Sequence, residues 1–339
     1  MTGKTIDTDR GRAGPGRSTR RGWLGLAGTA LAAASAHAQR AAWPTQPVRF
    51  IGIFPPGGGT DVLSRIWCNR MAETTGQSFV VENRSGSGGN VGTEAIARAA
   101  PDGNTIGLAS VSSLAIAPTL YPQLPYDVER DFSYICGLWQ LPNLLILRRG
   151  VPARSVPELI ALCRRDPGGL SFGSSGAGTT LHLAGEMFKH MAGVDILHVP
   201  YRGGVQAYND LLGGRVDMVF GNIPEALRLA REGQVVPLAV TGAARSPQAP
   251  DVPAMTEFLP GYEINSWGGV IGPAGIPAAI VGRIAELGRE VVEGPEVRRR
   301  FEEAGATVWW VPPAGLVAFR RENQARFAPL VRASGARVE

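Results

Sequence analysis

Short apolar runs and apolar stripes at helical spacing alternate along most of this chain. Val48, Phe50, Ile51, Ile53 and Phe54 predict a buried strand broken by Pro55-Pro56-Gly57-Gly58-Gly59, after which Leu63, Ile66, Trp67 and Met71 recur on one helix face. Residues 79–81 and 106–109 predict further strands, with a helix through Ala99 between them. The order returns with a strand at 144–147, a helix at 156–163, a strand at 170–172 and a helix carrying Leu181, Ala184, Phe188 and Met191 that Gly193 ends. A strand at 196–199 leads to a helix with Val205, Tyr208, Leu211 and Leu212 inward, and strands follow at 216–220 and 235–240. After Trp267 the pattern is helical: Ile280, Ile284, Leu287 and Val291 share a face, then come a stretch around Val297 and Phe301 and a last helix over 319–330. Strand, loop and helix in repetition predict an α/β chain with a largely parallel sheet covered on both faces. Crossings near residues 140 and 266 divide it into two lobes joined by a hinge, 39–141 with 267–339 and 142–266, with a cleft between them.

The first residues break this alternation. Arg20 and Arg21 precede an apolar run from Trp23 to Ala34 that closes on Ala36-His37-Ala38, the layout of a secretory signal peptide spanning 1–38 and cleaved near Ala38. The run is well short of the roughly 20 residues that span a bilayer. Its paired arginines suit a twin-arginine signal as well as an ordinary basic leader. The whole chain of 339 residues has a formal net charge of +5; six of its 34 Lys and Arg and two of its 29 Asp and Glu fall in the leader, leaving 28 against 27. No basic cluster remains to track phosphates, so nucleic acid is not an expected partner. Cys68, Cys136 and Cys163 are odd in number and lack metal spacing, which leaves one disulfide or three buried thiols. His182, His190 and His198 are well separated, and neither a metal nor another cofactor is expected. The mature chain is expected to be a periplasmic monomer without a membrane span of its own.

Candidate chemistry lies in four glycine-rich turns, at 55–60, 85–92, 174–180 and 201–205. Each follows a strand and opens a helix, presenting unpaired backbone N–H groups and the positive end of a helix dipole. The result is a cradle for anionic oxygens. Nucleotide patterns fail: Ser174-Ser175-Gly176-Ala177-Gly178-Thr179-Thr180 lacks a phosphate-loop lysine, and Gly57-Gly58-Gly59-Thr60-Asp61 lacks dinucleotide spacing. A small carboxylate fits better, its two coplanar oxygens meeting backbone donors and the hydroxyls of Ser85, Ser87, Ser174, Ser175, Thr179 and Thr180. Asp61 suits bonding the donors of its own turn more than touching an anion. Tyr201 and Arg202 either close over the solute, Arg202 as a paired donor, or face solvent. A serine hydrolase using Ser175 and His182, oriented by Asp217 or Glu186, stays an alternative, although no Gly-x-Ser-x-Gly elbow is present.

These turns and their flanks resemble the Bug-type extracytoplasmic solute receptors of tripartite tricarboxylate transporters. The runs that carry the resemblance are Val48-Arg49-Phe50-Ile51-Gly52-Ile53-Phe54-Pro55-Pro56-Gly57-Gly58-Gly59-Thr60-Asp61, Val80-Val81-Glu82-Asn83-Arg84-Ser85-Gly86-Ser87-Gly88-Gly89-Asn90-Val91-Gly92, His198-Val199-Pro200-Tyr201-Arg202-Gly203-Gly204 and Trp267-Gly268-Gly269-Val270-Ile271-Gly272-Pro273-Ala274-Gly275. They follow in order over nearly all of the mature chain. The resemblance implies a type II periplasmic-binding-protein fold that closes on a small organic carboxylate, no enzymatic turnover, and delivery to a two-component integral membrane permease, with a sensory role as the alternative. It also implies ligand contacts at Phe54, Pro56, Gly57, Gly58 and Asp61, at Ser87, Gly88, Gly89, Asn90 and Val91, at Ser175, Gly176, Gly178 and Thr179, and at Tyr201, Arg202, Gly203 and Gly204. Pro56 replaces a common alanine and stiffens the first turn. Gly221 stands where an acidic residue is common, which favours a ligand without an ammonium group.

Overall fold

The computed structural model describes residues 43–334 and 336; the expected leader and its cleavage position lie outside the described residues. The chain opens with β1 (Val48–Gly52), α1 (Gly59–Thr75), β2 (Phe79–Asn83), α2 (Asn90–Ala97) and β3 (Thr105–Ser110), then a π-turn at Ser112–Ile116 and the short α3 (Ala117–Leu120). The long β4 (Phe132–Arg148) leads into α4 (Val156–Arg165), β5 (Ser171–Ser174), α5 (Thr180–Ala192), β6 (Leu197–Pro200), α6 (Gly204–Leu212), β7 (Met218–Asn222), α7 (Ile223–Arg231) and β8 (Val235–Val240). It ends with β9 (Asn265–Pro273), α8 (Ala278–Glu293), α9 (Pro295–Glu303), β10 (Thr307–Val311) and α10 (Pro313–Ala333).

The strands pair in the order β2-β1-β3-β9-β4-β7-β5-β6, with β8 and β10 also on β4. β4 serves two half-sheets. Its residues from Phe132 to Pro142 pair with β9, while Asn143 to Leu147 pair with β7. The chain therefore builds two α/β lobes, as the type II arrangement requires. The expectation of a largely parallel sheet needs correction: β1 is parallel to β2 and β3, and β5 to β6 and β7, but every pairing of β4 is antiparallel and so is β3 with β9. The strands that pass between lobes run against the parallel units they join.

Each lobe has an aromatic core. Phe50 and Phe79 lie 5.7 and 6.1 Å, centroid to centroid, from Trp67, which α1 carries inward with Leu63, Ile66 and Met71. Burying side chains of this size contributes roughly 1.5–3 kcal/mol each, which fixes α1 against the sheet and so aims its amino end. In the other lobe Phe172 and Phe188 flank Phe220 at 6.1 and 5.9 Å. Gly193 ends α5 in the left-handed region at φ 60°, as its position in the sequence suggested.

Two further expectations change, and the open choice for the cysteines is decided. Leu212 is 45% exposed, not inward, because it falls on the last residue of α6. The chain after Trp267 is first a strand, β9, not a helix, and its Gly268-Gly269 pair is required by packing: a Cβ on Gly268 would collide with the Trp139 indole, and one on Gly269 with the Cys136 carbonyl. The three cysteines are buried free thiols, so no disulfide forms. Among the described residues no helix is long and apolar enough to cross a membrane, and no group of three metal-ligating side chains occurs.

Candidate functional site

The amino ends of four helices from the two lobes meet around one space of about 40 Å³. Gly58, Gly59 and Thr60 come from the start of α1, Thr179, Thr180 and Leu181 from α5, Gly204 and Val205 from α6, and Asn222 and Glu225 from α7. First-turn N–H groups lack intrahelical acceptors, so four such ends sum to a strongly donor-rich, electropositive wall. α6 carries no side-chain cap, and α1 has none from its own N-cap residue but gives Gly59 N to Glu225, whereas Thr179 accepts from His182 N at the start of α5. Ser110, Ser112, Ser175 and Ser266 add hydroxyls, and Phe54, Trp139, Tyr208 and Trp267 add aromatic surface. Across the floor, Thr180 Oγ1 and Ser266 Oγ are 2.6 Å apart, and Ser266 Oγ donates to Asn222 Oδ1 at 3.3 Å.

The first turn is held from behind by Asp61. Its carboxylate accepts from Gly57 N at 2.9 Å, Arg65 Nε at 2.9 Å and Asn83 Nδ2 at 2.8 Å. Burial disfavours the charge, but the hydrogen bonds from Arg65, Gly57 and Asn83 outweigh it and hold the carboxyl below its usual range. Asp61 therefore shapes the turn and does not line the cavity.

The turn at 85–92 lies beside the third turn, away from the cavity. Ser87, Gly88 and Gly89 have φ of 46°, 64° and 101°, and a Cβ on Gly88 would approach Ala177 O to 2.8 Å. Asn90 is committed internally, its Oδ1 accepting from Tyr126 Oη at 2.6 Å, and Val91 is 46% exposed. Gly176 packs against the Tyr201 carbonyl and Gly203 against Pro55, so the glycine turns of opposite lobes touch. Tyr201 Oη donates to Asp210 at 2.8 Å, while Arg202, Pro56 and Gly57 are exposed. Of the predicted contacts, the cavity gathers Phe54, Gly58, Ser175, Thr179 and Gly204; Gly178 and the remainder do not line it.

Glu225 is the member of the site that sequence reasoning passed over. It stands in the first turn of α7, where an acid ordinarily complements the helix dipole, and that commonplace reading hid its reach. Its Oε1 accepts from Gly59 N of the opposite lobe. Its Oε2 is sealed from solvent and has no hydrogen-bond partner. Burial pushes its carboxyl up to about 7, against the backbone N–H groups of Glu225 and Gly59 and the charge of Arg228, which pull the other way. Gly221, the position where an acid was expected, is covered by the Tyr208 phenol, which leaves no room for any side chain. Trp139 and Trp267 were also missed because apolar strand residues read as core, and Ser110, Ser112 and Ser266 because isolated serines carry no pattern.

The hydrolase arrangement does not assemble. His182 Nδ1 accepts from Gly178 N at 3.2 Å, which puts its proton on Nε2 toward Glu186, 3.8 Å away. The serine that meets a histidine is Ser174, 2.7 Å from His198 Nε2, and it is fully buried outside the cavity. Burial drives His182 down to about 4 and, with the neighbouring His182 and Lys189, His198 down to about 3. Asp217 accepts from Ser171 and Arg148 instead.

The family described as "Tripartite tricarboxylate transporter family receptor" matches residues 63–336. The chain is 37% identical over 311 residues to a UPF0065 protein in the tcbD-tcbE intergenic region of Pseudomonas sp. (strain P51), covering 90% of this chain and 92% of that one. A protein of R. palustris solved with adipate superposes with a TM-score of 0.84 at 34% identity, over 86% of this chain and 98% of that chain. The periplasmic binding protein BugD superposes with a TM-score of 0.83 at 31% identity, over 88% of this chain and all of BugD.

Proposed function

Because the chain belongs to the tripartite tricarboxylate transporter receptor family, we propose that it captures a small organic carboxylate in the cleft between its lobes and hands it unchanged to a two-component integral membrane permease. It acts as a receptor and not as an enzyme. The observation that carries this reading is the meeting of four helix amino ends, contributed by both lobes, around one small space. Backbone donors there serve a carboxylate with no lysine or arginine in the wall. The similar receptor solved with adipate supports the same solute class. Solute bound between the lobes favours the closed form by the difference between its affinities for closed and open states, and exclusion of water strengthens each hydrogen bond.

In this reading 39–141 with 267–339 form one lobe, 142–266 the other, and the hinge runs through β4 and the segment before β9. The receptor works as a monomer in the periplasm after cleavage near Ala38. Gly58, Ser175, Thr179 and Gly204 contact solute from within the cavity, whereas Pro56, Gly57, Asp61, the 87–91 loop, Tyr201 and Arg202 support the turns from outside it. A thermal-shift screen of mono-, di- and tricarboxylates, aromatic acids and amino acids on the mature chain, followed by calorimetry, tests the assignment. A stoichiometric hit that weakens on Gly58→Val and Thr179→Val is expected. Unchanged affinity in both variants rules the site out, and consumption of the solute rules out the receptor.

A further inference from the structure

Glu225 is an anomaly in a pocket for acids. Among the described residues that line the cavity there is no lysine, arginine or histidine, and Glu225 is the one ionisable carboxylate. Its Oε1 already draws on the α1 amino end through Gly59 N, so it blunts the donor wall at that point. The contact is built in: a Cβ on Gly59 would come within 3.0 Å of Glu225 Oε2 and 3.2 Å of Pro224 Cγ. The amino ends of α5 and α6 remain for an anion. Oε2, sealed and without a partner, requires a donor to be satisfied. Phe54, Trp139, Tyr208 and Trp267 are further lining residues of a kind that tolerates a cation.

Resting on the carboxylate reading above, we propose that the solute carries a cationic nitrogen as well as its carboxylate, and that Glu225 is the residue that selects it, its carboxylate turning from the Gly59 contact to pair with the ammonium group while the amino ends of α5 and α6 hold the acid. Specificity then comes from the penalty on the desamino analogue, which leaves a buried carboxylate oxygen unsatisfied beside a second negative charge. This reverses the expectation drawn from Gly221: the acid has not been lost from the site but enters it four residues later, from the first turn of α7.

Calorimetry on the mature wild-type chain with succinate, malate and aspartate, and with phenylpropionate, phenyllactate and phenylalanine, separates a hydrogen, a hydroxyl and an ammonium on one skeleton. The amino member of at least one set should bind ten-fold or more tighter than both companions, and Glu225→Gln should erase that preference. Equal or tighter binding of a desamino or hydroxy member overturns the proposal while leaving the carboxylate receptor standing. Retention of the amino preference in Glu225→Gln overturns the role of Glu225. If no acid of the thermal-shift screen binds at all, both readings fall.

Discussion

Thr180 Oγ1, in the first turn of α5, lies 2.6 Å from Ser266 Oγ, at the head of β9. Through Ser266 the bond extends to Asn222 before α7, so three segments of the cavity wall share one polar thread. A buried hydrogen bond of this kind contributes about 1 kcal/mol net. Thr180→Val is expected to weaken solute binding by roughly five-fold, one such bond in free energy, with little loss of secondary structure. Calorimetry with the tightest ligand checks it, and an undiminished affinity would remove the thread from the account.

Gly203 has an extended backbone, yet a Cβ there would come within 2.6 Å of Pro55 Cγ on the facing turn. Gly203→Val should therefore hold the two turns apart and disfavour the closed form without touching the cavity. Small-angle scattering with saturating ligand should show a larger radius of gyration than wild type, alongside a loss of affinity of ten-fold or more. Wild-type compaction in this variant would contradict the closure geometry.

Removing the Asp61 carboxylate strips three donors of their acceptor and leaves Gly57 unsupported. Asp61→Ala should cost on the order of 1–3 kcal/mol at neutral pH. The pH dependence has a definite sign. Because the folded carboxyl titrates below its ordinary value of 3.8, its stabilisation is complete above that pH and is lost as the pH falls through the lowered folded value. Chemical denaturation at pH 7 and pH 3 should find a difference between wild type and variant that shrinks in acid; a constant difference would disprove a charged Asp61.

His182 and His198 lie 4.2 Å apart between ring centroids, tilted by 30°, and are held neutral by burial, titrating at about 4 and about 3. The unfolded chain takes up protons at both once the pH drops below about 6.5, while the folded chain does not. Stability is thus full above that pH and falls as acid is added, by on the order of 1–2 kcal/mol at pH 5 from His182 alone. Melting temperatures between pH 4.5 and 8 should decline on the acid side, and His182→Gln should flatten the decline. A profile unchanged by that substitution would place the acid sensitivity elsewhere.

Much of the fold was legible because its parts are locally periodic. The stripe of Leu63, Ile66, Trp67 and Met71 and the stop at Gly193 depend on neighbours a turn or two away, and both stand as read. β9 was not legible, since Gly268 and Gly269 make sense only against Trp139 and Cys136 on another strand. The direction of β4 was equally hidden, because antiparallel pairing leaves no mark on a strand buried along most of its length.

What the sequence alone determined was the presence of strand-to-helix turns rich in glycine, and with them a chain suited to holding anions, because the need for bare backbone donors at a helix start is local. The tertiary structure decided which of those turns share a cavity and which only brace it. It also decided that Glu225, an ordinary first-turn acid by its neighbours, reaches Gly59 in the other lobe. Those outcomes depend on how the two lobes meet, and that meeting is set by contacts between residues far apart in the chain, such as Gly88 with Ala177 and Gly203 with Pro55, which no local pattern encodes.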